Sequence, residues 1–141
     1  MIEVVDEVTD EIAEALPRLV QQLSASAPPL RREDVEALVS SEASRLLVAR
    51  DAAGNVVGAL TLVVFSIPTG VRAWIEDVIV DEHARGLGVG TSLTREALRL
   101  ARLAGARTVD LTSRPSRATA NALYQREGFV RRETHVYRYT L

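Results

Sequence analysis

Apolar residues recur along this chain in two rhythms, every second position or every third to fourth, and the changes of rhythm mark its elements. Residues 2–8 predict a short first strand. Ile12, Leu16, Leu19, Val20 and Leu23 then fall at helical spacing behind Thr9 or Asp10, either of which can cap the helix. Pro17 lies inside that pattern and predicts a kink or an early restart. A small-residue loop over 24–29 leads to a second helix from about Arg32, with Val35, Leu38 and Val39 on one face.

Residues 45–50 and 56–65 predict a hairpin around a glycine-containing turn, and Pro68-Thr69-Gly70 turns the chain into a central strand over roughly 72–80. Leu93, Ala97, Leu100, Ala101 and Ala104 define a strong helix closed by Gly105. Residues 108–112 predict a short buried strand, 118–126 a last helix capped by Gly128, and 129–139 a final hairpin. The order is β-α-α-β-β-β-α-β-α-β-β, an α+β class with a mixed, mostly antiparallel central sheet flanked by helices. Its β-α-β crossover requires parallel pairing at the centre of the sheet.

At 141 residues the chain is expected to form one domain over 1–141, with a single core. No apolar run approaches the roughly 18 residues of a membrane span, and the acidic start Met-Ile-Glu-Val-Val-Asp-Glu lacks the positive region of a signal peptide. A cytoplasmic location is the expectation. The absence of Cys excludes disulfides, thiolate metal sites and a cysteine nucleophile. All 17 basic residues are Arg, which excludes a Schiff-base lysine and the lysine of a phosphate-binding P-loop. The net charge of −2 argues against general nucleic-acid affinity. That charge is uneven, −6 over residues 1–70 and +4 over 71–141, so a phosphate-rich ligand suits the second half.

The stretch from Trp74 to Thr91 carries the chemistry. An apolar strand bearing adjacent carboxylates, Glu76 and Asp77, turns through Arg85-Gly86-Leu87-Gly88-Val89-Gly90 into an amphipathic helix. Alternate glycines free the turn from side chains, so several backbone N–H groups can converge on an anion at the positive end of the helix dipole. The Rossmann spacing G-x-G-x-x-G fails here, because its third glycine would fall at Thr91 or Leu93. By strand alternation Glu76 shares a face with Trp74, Val78 and Val80, and Asp77 faces the other way with Ile75 and Ile79.

Arg85-x-x-Gly88-x-Gly90, after Val78-Ile79-Val80 and before a helix, resembles the acyl-CoA-binding motif of the GNAT superfamily of N-acetyltransferases. Asn121-Ala122-Leu123-Tyr124 followed by Gly128-Phe129 is similar to that superfamily's second conserved segment, and the element order matches the GNAT fold over nearly the whole chain. Ile75-Glu76-Asp77 is also similar to small-molecule members, including glucosamine-6-phosphate N-acetyltransferases. The resemblance implies acetyl-CoA as co-substrate, a small-molecule or protein amine as acceptor, no metal, no nucleic acid and no membrane. A homodimer is compatible with it.

An alkyl ammonium has a pKa of about 10, so a carboxylate that takes its proton helps the amine attack. Glu76 is the candidate base, with an ordinary strand carboxylate paired to an Arg as the alternative; Asp77 reads as structural. In the resembling family a Tyr at the place of Tyr124 points toward the CoA sulfur and protonates the departing thiolate; alternatively it is a core tyrosine. The resemblance gives the backbone of Val78, Ile79 and Val80 to the pantetheine arm. It gives the N–H groups of Gly86, Leu87, Gly88, Val89, Gly90 and Thr91 to the pyrophosphate. Arg85 either holds a phosphate oxygen or fixes the loop, and Asn121 either contacts pantetheine or caps the last helix. His83 reads as a solvated turn residue; His135 falls in the last hairpin, which in the resembling family can border the acceptor pocket, and Arg131, Arg132 and Arg138 there either contact an acidic acceptor or lie on solvated strand faces. No Ser-His-acid arrangement suggests an acyl-enzyme, so direct attack in a ternary complex is expected. The alternatives are a longer acyl donor, or a non-catalytic acyl-CoA-binding sensor of the same fold.

Overall fold

A computed structural model describes residues 1–141. Five strands form one sheet in the order β1-β2-β3-β4-β5. They are β1 (Ile2–Val4), β2 (Ser44–Arg50), β3 (Val56–Ile67), β4 (Gly70–Val80) and β5 (Val109–Asp110). The first four pair antiparallel, and β5 joins β4 in parallel. Four helices flank the sheet: α1 (Asp10–Leu23), α2 (Arg32–Ser40), α3 (Val89–Leu103) and α4 (Ala118–Arg126). None is long and apolar enough to cross a membrane.

The alternation in the strands sorts the core into two layers. On one face Ile12, Leu16 and Leu19 of α1 and Val35 of α2 bury against Leu46, Val48, Ala59 and Ile79. On the other, Leu93, Ala97 and Ala101 of α3 bury against Leu47, Leu60, Leu62, Ala73 and Ile75. Burying an aliphatic side chain contributes roughly 1.5–3 kcal/mol, so the helical stripes and strand alternation fix which face each helix covers. Thr9 is the cap of α1, its Oγ1 accepting from the Ile12 N–H at 3.3 Å. α1 runs unbroken through Pro17, so the expected restart does not occur. Packing of the apolar stripe on both sides of the proline outweighs one lost helical hydrogen bond.

Two strand expectations change. The parallel partner β5 holds only two ladder positions, Ala73 opposite Val109 and Trp74 opposite Asp110, and it lies at the sheet's edge rather than its centre. The final hairpin over 129–139 does not form: the chain after Gly128 has no regular secondary structure, and residues 130–141 are all exposed. An isolated two-stranded ribbon is at best marginal in water, and here no third strand receives it.

Candidate functional site

The site begins where β4 and β5 part. Their ladder ends at Trp74 and Asp110, yet β4 continues to Val80, leaving its backbone from Ile75 onward without a strand on that side. Within this free stretch β4 carries a bulge against β3: Ala59 faces Ile79 and Thr61 faces Glu76, so Leu60 opposes both Asp77 and Val78. Asp77 supplies the bent residue, with φ 49°, a left-handed conformation that Asp tolerates better than most side chains. The bulge corrects the simple alternation. Glu76 shares the α1 face with Trp74 and Ile79, whereas Val78 packs with Ile75 on the α3 face. One inserted residue reverses the facing of everything after it.

Glu76 is exposed, and its Oε1 accepts a 2.6 Å hydrogen bond from the Trp74 indole N–H, its neighbour two residues back on the same face. No arginine pairs with it. It lines a cleft with Ile75, Asp77 and Val78 of β4, Leu111 and Thr112 beyond β5, Leu23 at the end of α1, Arg117, and Tyr124 of α4. Glu76 and Tyr124, 48 residues apart in sequence, thus meet in one cavity. Tyr124 is buried, stacked edge-to-face on Phe129 with ring centroids 5.7 Å apart. Burial pushes its phenol above the ordinary value, with the Arg117 guanidinium pulling the other way. The group is therefore a protonated donor at neutral pH. α4 is held in place by a bidentate pair from Arg95 of α3 to Glu127, at 2.8 and 3.1 Å.

The glycine loop stands at the far end of the free strand. Asp81 caps a 3-10 turn over Glu82–Ala84, and Gly86 and Gly88 follow with φ 79° and 80°, conformations that cost a side chain dearly. Gly88 is the cap of α3, with no side-chain cap and no acid in the first turn. The first helical bond is Ser92 N–H to the Gly88 carbonyl, so Val89, Gly90 and Thr91 carry N–H groups without a helical acceptor. Leu87 is exposed at the loop tip. A Cβ on Gly90 would lie 3.2 Å from Leu123 Cδ1, so this glycine also lets α4 approach. Arg85 sends Nε back to the Val80 carbonyl in a long 3.4 Å contact.

Of the other candidates, Ile79 turns into the core and Val80 lies near Gly90. Asn121 does not line the cleft and does not cap α4; its amide donates to the Arg114 carbonyl at 2.9 Å and ties down the loop before the helix. His83 is an exposed turn residue. His135, Arg131, Arg132 and Arg138 lie on the exposed C-terminal arm and line neither the cleft nor the loop.

Three contributors went unnoticed in the sequence. Gly58 of β3 lies under the start of α3, where an added Cβ would come within 2.8 Å of Val89 Cγ1 and 3.1 Å of the Ile79 carbonyl. A glycine inside an apolar strand is a sign of such close approach. Buried Asp81 forms an ion pair with Arg18 of α1 and accepts the His83 N–H at 3.0 Å, while Arg18 also donates to the Val56 carbonyl at 3.1 Å. No local signal links Arg18 to Asp81, 63 residues away.

A family model described as the Acetyltransferase (GNAT) family matches residues 6–129. A putative acetyltransferase from Agrobacterium tumefaciens str. C58 superposes with a TM-score of 0.86 at 24% identity, covering 99% of both chains. An aminoglycoside acetyltransferase from an uncultured soil metagenomic sample gives 0.85 at 20% identity, covering 100% of this chain and 95% of that one. Glucosamine-6-phosphate N-acetyltransferase from Arabidopsis thaliana gives 0.81 at 16% identity, covering 99% and 98%. No protein of curated function matches by sequence. With the family model spanning most of the chain and the splayed β4 leading into the glycine turn, the chain belongs to the GNAT acetyltransferase family.

Proposed function

We propose that this protein moves an acetyl group from acetyl-CoA to a primary amine, by direct attack of the amine on the thioester in a ternary complex. The observation that carries the reading is the meeting of Glu76 and Tyr124 in one cleft, at the start of an unpaired β4 edge that ends in the glycine loop. The pyrophosphate rests on the N–H groups of residues 86–91, and the pantetheine follows the free backbone of Val78, Ile79 and Val80. Arg85 flanks the loop as a phosphate contact. Its thioester end then reaches the cleft.

There Glu76 accepts the ammonium proton, the amine nitrogen bonds to the thioester carbon, and the C–S bond breaks as Tyr124 protonates the sulfur, the second nitrogen proton returning to the Tyr124 oxygen to leave the neutral amide. Glu76 and Asp77, neither paired with an arginine, favour a cationic acceptor. The substrates named for two similar structures, an aminoglycoside and glucosamine-6-phosphate, each carry an amine.

Calorimetric titration with acetyl-CoA, with free CoA and NADH as controls, tests the donor. Micromolar binding of both CoA species without a response to NADH is expected, followed by thiol release when a panel of primary amines is added. Absence of binding to either CoA species overturns the reading. Binding without turnover on any amine, including aminoglycosides, leaves a sensor in place of an enzyme.

A further inference from the structure

We propose that the end of the sheet opposite the glycine loop holds an oxyanion site, which takes the phosphate group of a small molecule between Arg72 and Arg107. The β3–β4 turn and the segment entering β5 bound a cavity of about 300 Å³, lined by Thr69, Val71, Arg72, Arg107 and Thr108. It shares no lining residue with the cleft at Glu76. β4 runs from this turn toward the glycine loop, a length of roughly 30 Å at 3.3 Å per residue. Arg72, Trp74 and Glu76 alternate with Ala73 and Ile75 of the α3 face, so Trp74 stands between the two cavities.

The two arginines come from separate segments and meet on one threonine. Arg107 Nη1 donates to the Thr69 carbonyl at 3.1 Å, and Arg72 Nη2 makes a long 3.4 Å contact with the Thr69 hydroxyl. Gly70 makes room for this. Its φ is 129°, and a Cβ there would stand 2.9 Å from Arg107 Cδ, so the arginine stem lies across the turn where a side chain would be. The root of that stem is fixed as well: the Arg107 N–H donates to the Val71 carbonyl at 2.9 Å, and the Ala73 N–H to the Thr108 carbonyl at 2.9 Å. Neither arginine belongs to an ion pair. Two guanidinium groups held against one residue repel each other, and no carboxylate of the chain offsets that repulsion. Each commits a single N–H in these contacts, and the rest of its planar donor fork is available to a ligand.

A phosphate matches this set. Its oxygens can accept from both forks and from a threonine hydroxyl, and its charge approaches that of the two arginines. A carboxylate carries one charge on two oxygens and satisfies one fork only. The remaining space, with Val71 as its apolar wall, suits the organic part of a phosphate ester. Bound there, the ligand bridges β4 to the segment entering β5, beside the two ladder positions that join these strands, and fastens the root of their splay. The inference stands on this cavity and does not depend on the acetyl-transfer reading.

Amide NMR of the isotope-labelled full chain tests it, in titrations at constant ionic strength with inorganic phosphate, phenyl phosphate and acetate. Both phosphates should give saturable shifts over residues 69–73 and 107–109, and acetate should bind about tenfold more weakly. Arg72→Gln and Arg107→Gln, at exposed positions, should each weaken phosphate binding about tenfold or more. An otherwise unchanged spectrum of each variant shows that the fold is kept. Phosphate shifts confined to residues 86–91 would put the anion on the glycine loop alone and overturn the site. So would shifts that fail to saturate, that acetate matches at equal concentration, or that survive both substitutions.

Discussion

Glu76 is held by one contact, the Trp74 indole at 2.6 Å, which leaves its other carboxylate oxygen available to a ligand. If it takes the ammonium proton, Glu76→Gln should lower kcat/KM for a primary amine by about 10²-fold, with acetyl-CoA affinity unchanged. The deficit should be largest at neutral pH and shrink as the pH approaches the amine's own pKa of about 10, where free amine needs no base. Initial rates across that range, beside a titration of acetyl-CoA, check this; an equal deficit at every pH would give Glu76 a binding role instead. Tyr124 makes the complementary prediction. Its phenol, raised by burial, stays protonated through the neutral and mildly alkaline range, so the alkaline limb of kcat should lie above about pH 10. Tyr124→Phe keeps the packing on Phe129 but should lower kcat by about 10²-fold at unchanged acetyl-CoA affinity. Unchanged turnover would leave the ring as packing alone.

At the scale of elements, the end of β4 is pinned to α1. The His83 N–H and then the Arg18 guanidinium hold the Asp81 carboxyl below its ordinary value, against the burial that would raise it. A carboxyl depressed in the folded state stabilises above its unfolded value of about 3.9, and that contribution fades as pH falls through the lower folded value. Asp81→Asn should therefore cost about 1–2 kcal/mol at neutral pH, and the gap to the unaltered protein should be narrower at an acid pH below about 3.9. Urea midpoints at the two pH values measure it; a gap that persists in acid would point to packing rather than charge. The same variant loosens the turn that feeds the glycine loop, so acetyl-CoA affinity should fall with it. These elements were readable to different degrees. Helix limits, a cap at Thr9 or Asp10 and the glycine stops depend on a few neighbouring residues and are legible in the sequence. The Arg18–Asp81 pair and the close fit at Gly58 join segments distant in sequence and left no periodic trace.

At the scale of the molecule, the sheet has two features on its β4–β5 side. It opens to leave strand backbone free for a ligand, and it ends in a two-residue strand, β5, with one open edge. Patterning along the chain, by itself, determined the fold class, the element order up to α4 and the glycine loop at a strand-to-helix turn, because each follows from local spacing and from the need to bury one face. The resemblance of its motifs to the family supplied Glu76 and Tyr124 as residues of the right chemistry. Only the tertiary structure decided which residues share the face of Glu76, since a single bulge residue at Asp77 resets the alternation of Val78 and Ile79 and is invisible to a period-two count. Only it brought Tyr124 to the same cleft, through the packing of α4 on α3 and the Arg95–Glu127 pair. The last segment shows the reason most plainly. Alternating residues specify a strand, but hydrogen bonding between strands is non-local, so the pattern over 129–141 names no partner, and in the folded chain that segment is exposed and joins no sheet.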